Sequence, residues 1–255
     1  MKKLKSIKSK IYAPLFLIVV VIIWQLVSVS GLVPRFMLPG PIEVIKALVT
    51  DWKIIGQGLF ITLGEAFLGM GCAVVFAFVT AVFMDRFKVI HDTLYPLAVI
   101  SQTVPTIAIA PLMVLWFGFG ALPKILLVFI TCFFPLLVAL LQGFEVSDKN
   151  ILRLYRSMNA SYAKILLDVK IPYALESFFS GLKISASYSI VGAVIAEWLG
   201  GEGGLGVYMT RVRKSFQFDK MFAVIIVVSL LSLMLMKLVS VIEKKSMPWK
   251  KFEKK

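Results

Sequence analysis

Apolar residues gather in six blocks along the chain, at residues 11–29, 63–84, 93–117, 125–143, 173–199 and 221–242, separated by charged or Gly/Pro-rich stretches. Blocks of about 18 residues or more are long enough for a helix to cross a hydrocarbon core about 30 Å thick. The pattern therefore predicts an all-α integral membrane protein with about six transmembrane helices. The third block carries Pro96, Pro105 and Pro111, and the fifth carries Lys183 and Glu197. Broken or polar helices at membrane depth are tolerated where protein or a water-filled path surrounds them. These two blocks are the candidate walls of a translocation path.

Between the first two blocks, Pro41 precedes Ile42, Ile45, Leu48 and Val49 at helical spacing, which predicts an amphipathic helix lying in the membrane interface. In the second block Gly69, Ala73, Ala77 and Ala81 recur every four residues, a stripe of small side chains that lets another helix backbone approach closely. The polar insert between the fourth and fifth blocks, residues 145–172, has its own period. Ile151, Tyr155, Met158, Tyr162, Ile165 and Val169 recur at steps of three or four, while Arg153, Arg156, Ser157 and Lys164 take the other side. This predicts one amphipathic helix over residues 147–169, stopped by Pro172. Such a helix can lie on a lipid surface or dock in a groove of a soluble partner. In the fifth block Gly181, Ser185, Ser189, Ala193 and Glu197 form a small and polar face that ends in a carboxylate. A charge at mid-membrane costs roughly 2.5–3.5 kcal/mol on insertion scales and marks a candidate functional site. Nearer the membrane surface that cost shrinks, and a bond to loop backbone becomes an equal reading.

Composition agrees with the blocks: 59% of the 255 residues are hydrophobic and 16% charged, with a mean hydropathy of +0.90. The net charge of +14 reads as orientation, not as nucleic-acid binding. With six spans and an internal N-terminus, eighteen of the 28 basic residues fall on the inner side, seven outside and three at or within spans. Cytoplasmic flanks accumulate Lys and Arg. This places both ends in the cytoplasm, with a basic N-terminus at residues 1–10, one permeating domain at 11–242 and a basic tail at 243–255. The basic cluster at 211–214 runs against the rule. The first block is read as a retained span, since it is long for a cleavable signal. Cys72 and Cys132 fall inside spans and His91 in a short charged loop, so neither a metal site nor a cofactor is expected.

Residues 95–120 (YPLAVISQTVPTIAIAPLMVLWFGFG) and 151–172 resemble the inner-membrane permeases of binding-protein-dependent ABC importers, type I. That family carries a cytoplasmic loop with a Glu-Ala-Ala run, then a Gly, then a closing Leu-Pro, which forms a coupling helix docked on an ATPase subunit. Here the spacing is kept and the loop closes with Ile171 and Pro172, but Arg153, Leu154 and Tyr155 replace Glu-Ala-Ala and Asn159 replaces the Gly. Asn tolerates a positive backbone angle better than other non-Gly residues, so the turn can survive. The runs SQTVP, WFGFG, FFSGLKISASYSIVGAVIAEWLGG and GLGVYM are similar to the branch of nitrate, taurine, alkanesulfonate and thiamine-precursor (hydroxymethylpyrimidine) permeases. IAEWLGG and RKSFQFDKMFA favour the pyrimidine-precursor permeases.

The resemblance implies a permease homodimer in the cell membrane, two cytoplasmic ABC ATPase subunits below it, and an extracytoplasmic substrate-binding protein above. Coupling falls to Arg156, Ser157, Met158, Asn159, Ala160, Ser161, Tyr162, Ile171 and Pro172. The translocation path is expected at Gln102, Thr103, Pro105, Ser185, Ser189 and Glu197. ATP hydrolysis belongs to a separate subunit, because no Gly-x-x-x-x-Gly-Lys-Ser/Thr loop is present. The competing readings are a secondary transporter or channel, which would need paired intramembrane charges or inverted repeats, and a membrane enzyme, which would need clustered His, Asp, Glu or Cys.

Overall fold

The structure, a computed structural model, describes residues 2–34 and 36–251; Arg35 and the tail residues 252–255 lie outside the described residues, as do the side chains of the basic N-terminus at 1–10. The described elements are helices, with no strand among the described residues: α1 (Lys2–Val29), α2 (Pro41–Thr50), α3 (Trp52–Arg86), α4 (Lys88–Ser101), α5 (Thr106–Phe117), α6 (Ala121–Glu145), α7 (Lys149–Ser157), α8 (Tyr162–Ile165), α9 (Ile171–Gly200), α10 (Leu205–Lys214) and α11 (Phe218–Ser246). Four stretches are long and apolar enough to cross a membrane: α3, α6, Tyr162–Gly200 and α11. The apolar part of α1, Pro14–Val29, is shorter. The third block is not one straight span. It is the pair α4 and α5, bent by 103°.

The bend follows from Pro105. A proline cannot donate the backbone hydrogen bond that would continue α4, and its ring pushes the preceding residue, Val104, out of the helical region. Pro105 itself sits in extended geometry (φ −62°, ψ 120°) as the residue before α5. Pro96 and Pro111 lie inside α4 and α5 without ending them. His91, expected in a loop, lies in α4, where its ring stacks on Tyr95 with centroids 5.2 Å apart.

The chain divides into two compact units. The first comprises Met1–Gln57 and Tyr208–Val227. In it α2 begins at Pro41 as the sequence predicts, and the Glu43 carboxylate caps the turn by accepting from the Gly40 N–H at 3.0 Å. Val44 and Ala47 pack on Ala223 beside Trp24, Leu48 and Phe222, while Ile42, Ile45 and Val49 stay exposed. That exposed apolar row is the face an interfacial helix presents to lipid. At the end of α2, Asp51 pairs with Lys220 at 2.8 Å and accepts from the Tyr208 hydroxyl at 2.5 Å. Lys220 and Tyr208 together hold the Asp51 carboxyl below its usual range, against the opposing effect of burial.

The second unit comprises Gly58–Val207 and Val228–Lys255. Its centre is the packing of α6 on α9, with Leu136, Leu137, Ala186, Ile190 and Ala193 buried between neighbours. Backbones approach closely there: a Cβ added to Gly143 would lie 2.7 Å from Ala174 Cα, and one on Gly181 2.6 Å from Ala139 Cβ. The α3 stripe does what its spacing predicts. Ala73, Ala77 and Ala81 are fully buried, and a Cβ on Gly69 would meet Val128 at 2.6 Å. The opposite faces of these helices are apolar and exposed, as with Phe76, Val79 and Phe83 on α3. In water such surface would be costly; in lipid it is solvent-matched.

Candidate translocation and coupling sites

The α4–α5 bend builds one side of a cavity of about 160 Å³. Ser101, Gln102, Val104 and Thr106 come from the bend, and Ile109 follows on α5. Ile130, Thr131, Phe134 and Pro135 of α6 and Tyr188 of α9 complete the lining. The unsatisfied carbonyls at the broken helix end are partly covered locally, because the Ser101 hydroxyl donates to Leu97 O at 2.6 Å and the Thr103 hydroxyl to Ile100 O at 2.7 Å. The cavity offers an amide, several hydroxyls and two aromatic rings, and none of its lining residues is charged.

Of the residues expected on the translocation path, Gln102 lines this cavity, and Thr103 and Pro105 form the bend beside it. Ser185 and Ser189 are fully buried away from the lining. The Ser185 hydroxyl donates to Cys132 O at 3.3 Å, bonding α9 to α6, and the Ser189 hydroxyl donates to Ala186 O at 3.0 Å within α9. Glu197 is also buried outside the cavity. It accepts from the Thr62 hydroxyl at 2.7 Å and from the Gly206 N–H, at the start of α10, at 2.5 Å. Gly204, at φ +118°, and Gly206 sit so close that a Cβ on either would collide with the Glu197 side chain. The glycines after α9 thus make a tight turn and also clear room for this carboxylate. Lys183, within α9, pairs with Glu243. Thr131, Phe134 and Tyr188 were not singled out by sequence periodicity; the signal available was Tyr188, three residues after Ser185 on the same side of α9.

The insert between α6 and α9 is two helices, not one over 147–169. Asp148 caps α7, its carboxylate accepting from the Asn150 N–H at 2.7 Å. α7 ends at Ser157, and Asn159 turns the chain with a φ of +53°. The Ala160 N–H then bonds Tyr155 O and the Asn159 N–H bonds Arg156 O, both at 3.0 Å. This is a Schellman termination with Asn in the place usually held by Gly. Ser161 restarts the helix, its hydroxyl accepting from the Lys164 N–H at 3.4 Å.

Pro172 does not stop the helix either. The chain runs continuously from Tyr162 to Gly200 through a wide turn at Leu166–Lys170, where the Ile171 N–H reaches Leu166 O. A proline removes the bond to the carbonyl four residues back and its ring presses on that carbonyl. One π-type turn absorbs both effects without breaking the axis. The row of apolar residues is accordingly split. Ile165 and Val169 are buried, Ile151, Tyr155 and Tyr162 are half-buried, and Met158 is exposed by 70%.

The restart is tied to the end of α3. The Tyr162 hydroxyl donates to Asp85 at 2.8 Å and Lys170 donates to the same carboxylate at 2.5 and 2.7 Å. Arg86 lies 4.9 Å over the Tyr162 ring. The result is an exposed, basic and partly apolar tip at residues 153–160, carried on a root bolted to α3 and packed on α6 and α9 through the shared core.

Residues 73–247 match the model of the family described as "Binding-protein-dependent transport system inner membrane component". A probable ABC transporter permease protein of Haemophilus influenzae is 36% identical over 229 residues, covering 89% of this chain and 94% of that protein. The formylaminopyrimidine transport permease protein ThiX of Halalkalibacterium halodurans is 29% identical over 242 residues, with 93% and 95% covered. The putative aliphatic sulfonates transport permease protein SsuC of Bacillus subtilis is 28% identical over 235 residues, with 91% and 85% covered. Among solved structures, a chain of an amino acid ABC transporter shares the fold with a TM-score of 0.64 at 17% identity, over 78% of this chain and 96% of that one. The MetNI methionine ABC transporter in an inward-facing conformation gives 0.62 at 15% identity, over 75% and 97%. The chain is a multi-pass membrane permease of the binding-protein-dependent ABC importer family.

Proposed function

We propose that two copies of this chain form the pathway by which a small molecule, released by an extracytoplasmic binding protein, enters the cytoplasm, and that the molecule is a thiamine-precursor pyrimidine. The permease performs no covalent chemistry. ATP is hydrolysed in separate subunits that grip the tip at Arg156, Ser157, Met158, Asn159, Ala160 and Ser161. Both termini are cytoplasmic on this reading, following the bias of Lys and Arg.

The observation that carries the coupling role is the exposed tip on a bolted root. α7 has no fully buried residue, and its Leu154 and the adjoining Met158 are exposed and free for a partner groove. Tyr162, Lys170 and Asp85 then transmit a displacement of that tip to α3, and Ile171 and Pro172 to α9. Rocking of the helices about the cavity exposes it to each side in turn.

The pyrimidine reading rests on the cavity. Gln102, Thr106 and Thr131 suit the edge of a heterocycle, Phe134 and Tyr188 suit its faces, and no lining cation meets the charge of a sulfonate. The test is competition for ATP-dependent uptake in cells expressing the permease with its ATPase and binding protein. Uptake of labelled formylaminopyrimidine that excess taurine leaves unchanged supports the reading. Uptake of taurine or another aliphatic sulfonate, undiminished by the pyrimidine, overturns it.

A further inference from the structure

Where α3, α6 and α9 meet the start of α10, the chain buries three ionisable side chains together: Glu65, Lys124 and Glu197, exposed by 5%, 4% and 1%. Lys124 donates to Glu65 Oε1 at 2.5 Å. Glu197 is served by Thr62 on Oε1 and by the Gly206 N–H on Oε2, and Thr62 in turn accepts from the Leu205 N–H at 3.0 Å. One oxygen is left over. Glu65 Oε2 is buried and has no donor, and the Glu65 side chain stands within hydrogen-bonding reach of Glu197.

The charge count does not close. Two carboxylates face one ammonium, α10 offers only backbone N–H groups, and the remaining negative charge would be sealed away from water. An uncompensated buried charge is strongly unfavourable, and two ionised carboxylates at hydrogen-bonding distance repel. One proton between them closes the count, gives Glu65 Oε2 its missing partner, and turns the repulsion into a charge-assisted O–H···O bond. A metal ion is the poorer fit, since Lys124 already supplies the local cation and no cluster of three or more His, Cys, Asp or Glu side chains suited to a metal exists among the described residues.

We propose that Glu65 and Glu197 bind one proton between them, held as a fixed constituent of the folded permease near neutral pH, so that the group Glu65, Lys124 and Glu197 is neutral. The proton belongs to the pair and not to either residue. It fastens α3 to α9 directly. Through Glu197 and Thr62 it also fastens the turn that leads into α10. None of the three residues lines the cavity.

Glu65→Gln is the discriminating variant. Its amide oxygen can accept from Lys124 and its NH2 can donate to Glu197, imitating the protonated pair, whereas an ordinary ion pair would lose its charge partner.

The experiment uses the permease with its ATPase subunits in lipid nanodiscs, with glutamate carrying a 13C side-chain carboxyl. Infrared spectra near neutral pH are expected to show a protonated-carboxyl stretch that shifts with the label and disappears in Glu65→Gln and in Glu197→Gln. Thermal unfolding of Glu65→Gln is expected to match the wild type near neutral pH. No labelled protonated band in the wild type overturns the proposal. So does a band that persists in both variants, or a Glu65→Gln protein that melts below the wild type near neutral pH.

Discussion

Asn159 is the residue on which the coupling tip turns, and substituting it separates turn geometry from everything else. Its φ of +53° is left-handed, and the Schellman bonds from Ala160 to Tyr155 and from Asn159 to Arg156 exist only with that geometry. For a residue with a Cβ this conformation costs roughly 1–2 kcal/mol; Asn meets part of that cost, Gly meets none of it, and a β-branched side chain meets all of it. Asn159→Val therefore lowers the population of the native turn by several-fold, at most about 30-fold, while Asn159→Gly leaves it unchanged or raises it. Asn159 itself is exposed and α7 has no fully buried residue, so the substitution leaves the core packing in place. Titration of the purified permease with its ATPase subunit, alongside ATP-dependent uptake, reads the effect directly. Asn159→Val should weaken association by that factor and reduce uptake in parallel, with normal amounts of protein in the membrane. Equal association for Asn159→Val and wild type, with weakening in Asn159→Gly, would refute the reasoning.

Two further outcomes follow from the ion pairs. Asp85→Ala leaves Lys170 largely buried without its partner and removes the acceptor of the Tyr162 hydroxyl, so the second unit should lose about 3–5 kcal/mol in reversible unfolding, and uptake per ATP should fall more than ATPase binding does. Lys220 first and Tyr208 second hold the Asp51 carboxyl low, so its stabilisation is present above the unfolded value of about 3.9 and is lost as pH falls through the folded one. The melting temperature of Asp51→Asn should lie below that of the wild type at neutral pH, and the gap should close in acid.

The apolar blocks were legible because a spanning helix must be long and apolar whatever its neighbours are, and all six correspond to helices or helix pairs. The small-residue stripe from Gly69 to Ala81 was legible for a similar reason: close approach leaves no alternative to small side chains. Asn159 could be read as a turn because left-handed geometry selects residues locally. What failed was inference from proline. Pro105 breaks its helix by 103° whereas Pro172 is absorbed by a π-type turn, and proline alone does not say which. Pairings across long sequence separations were illegible. Nothing local to Lys124 announces Glu65, 59 residues away, and Thr131 and Tyr188 become neighbours only once α6 and α9 have packed. Glu197 was recognised as unusual from its place in an apolar block, but its donors lie in a different helix and in the following turn.

The central claim is that the tip at residues 153–160 is held by an ATPase on the cytoplasmic side. Met158 is exposed by 70%, and the chain's own thiols are Cys72 and Cys132. A permease with those two cysteines replaced and Met158→Cys introduced can be tested in cells for cross-linking and for labelling by a membrane-impermeant thiol reagent. The account predicts a cross-link to the ATPase subunit that blocks uptake, with no labelling from outside. Labelling of that cysteine in intact cells, with no cross-link formed, would contradict it.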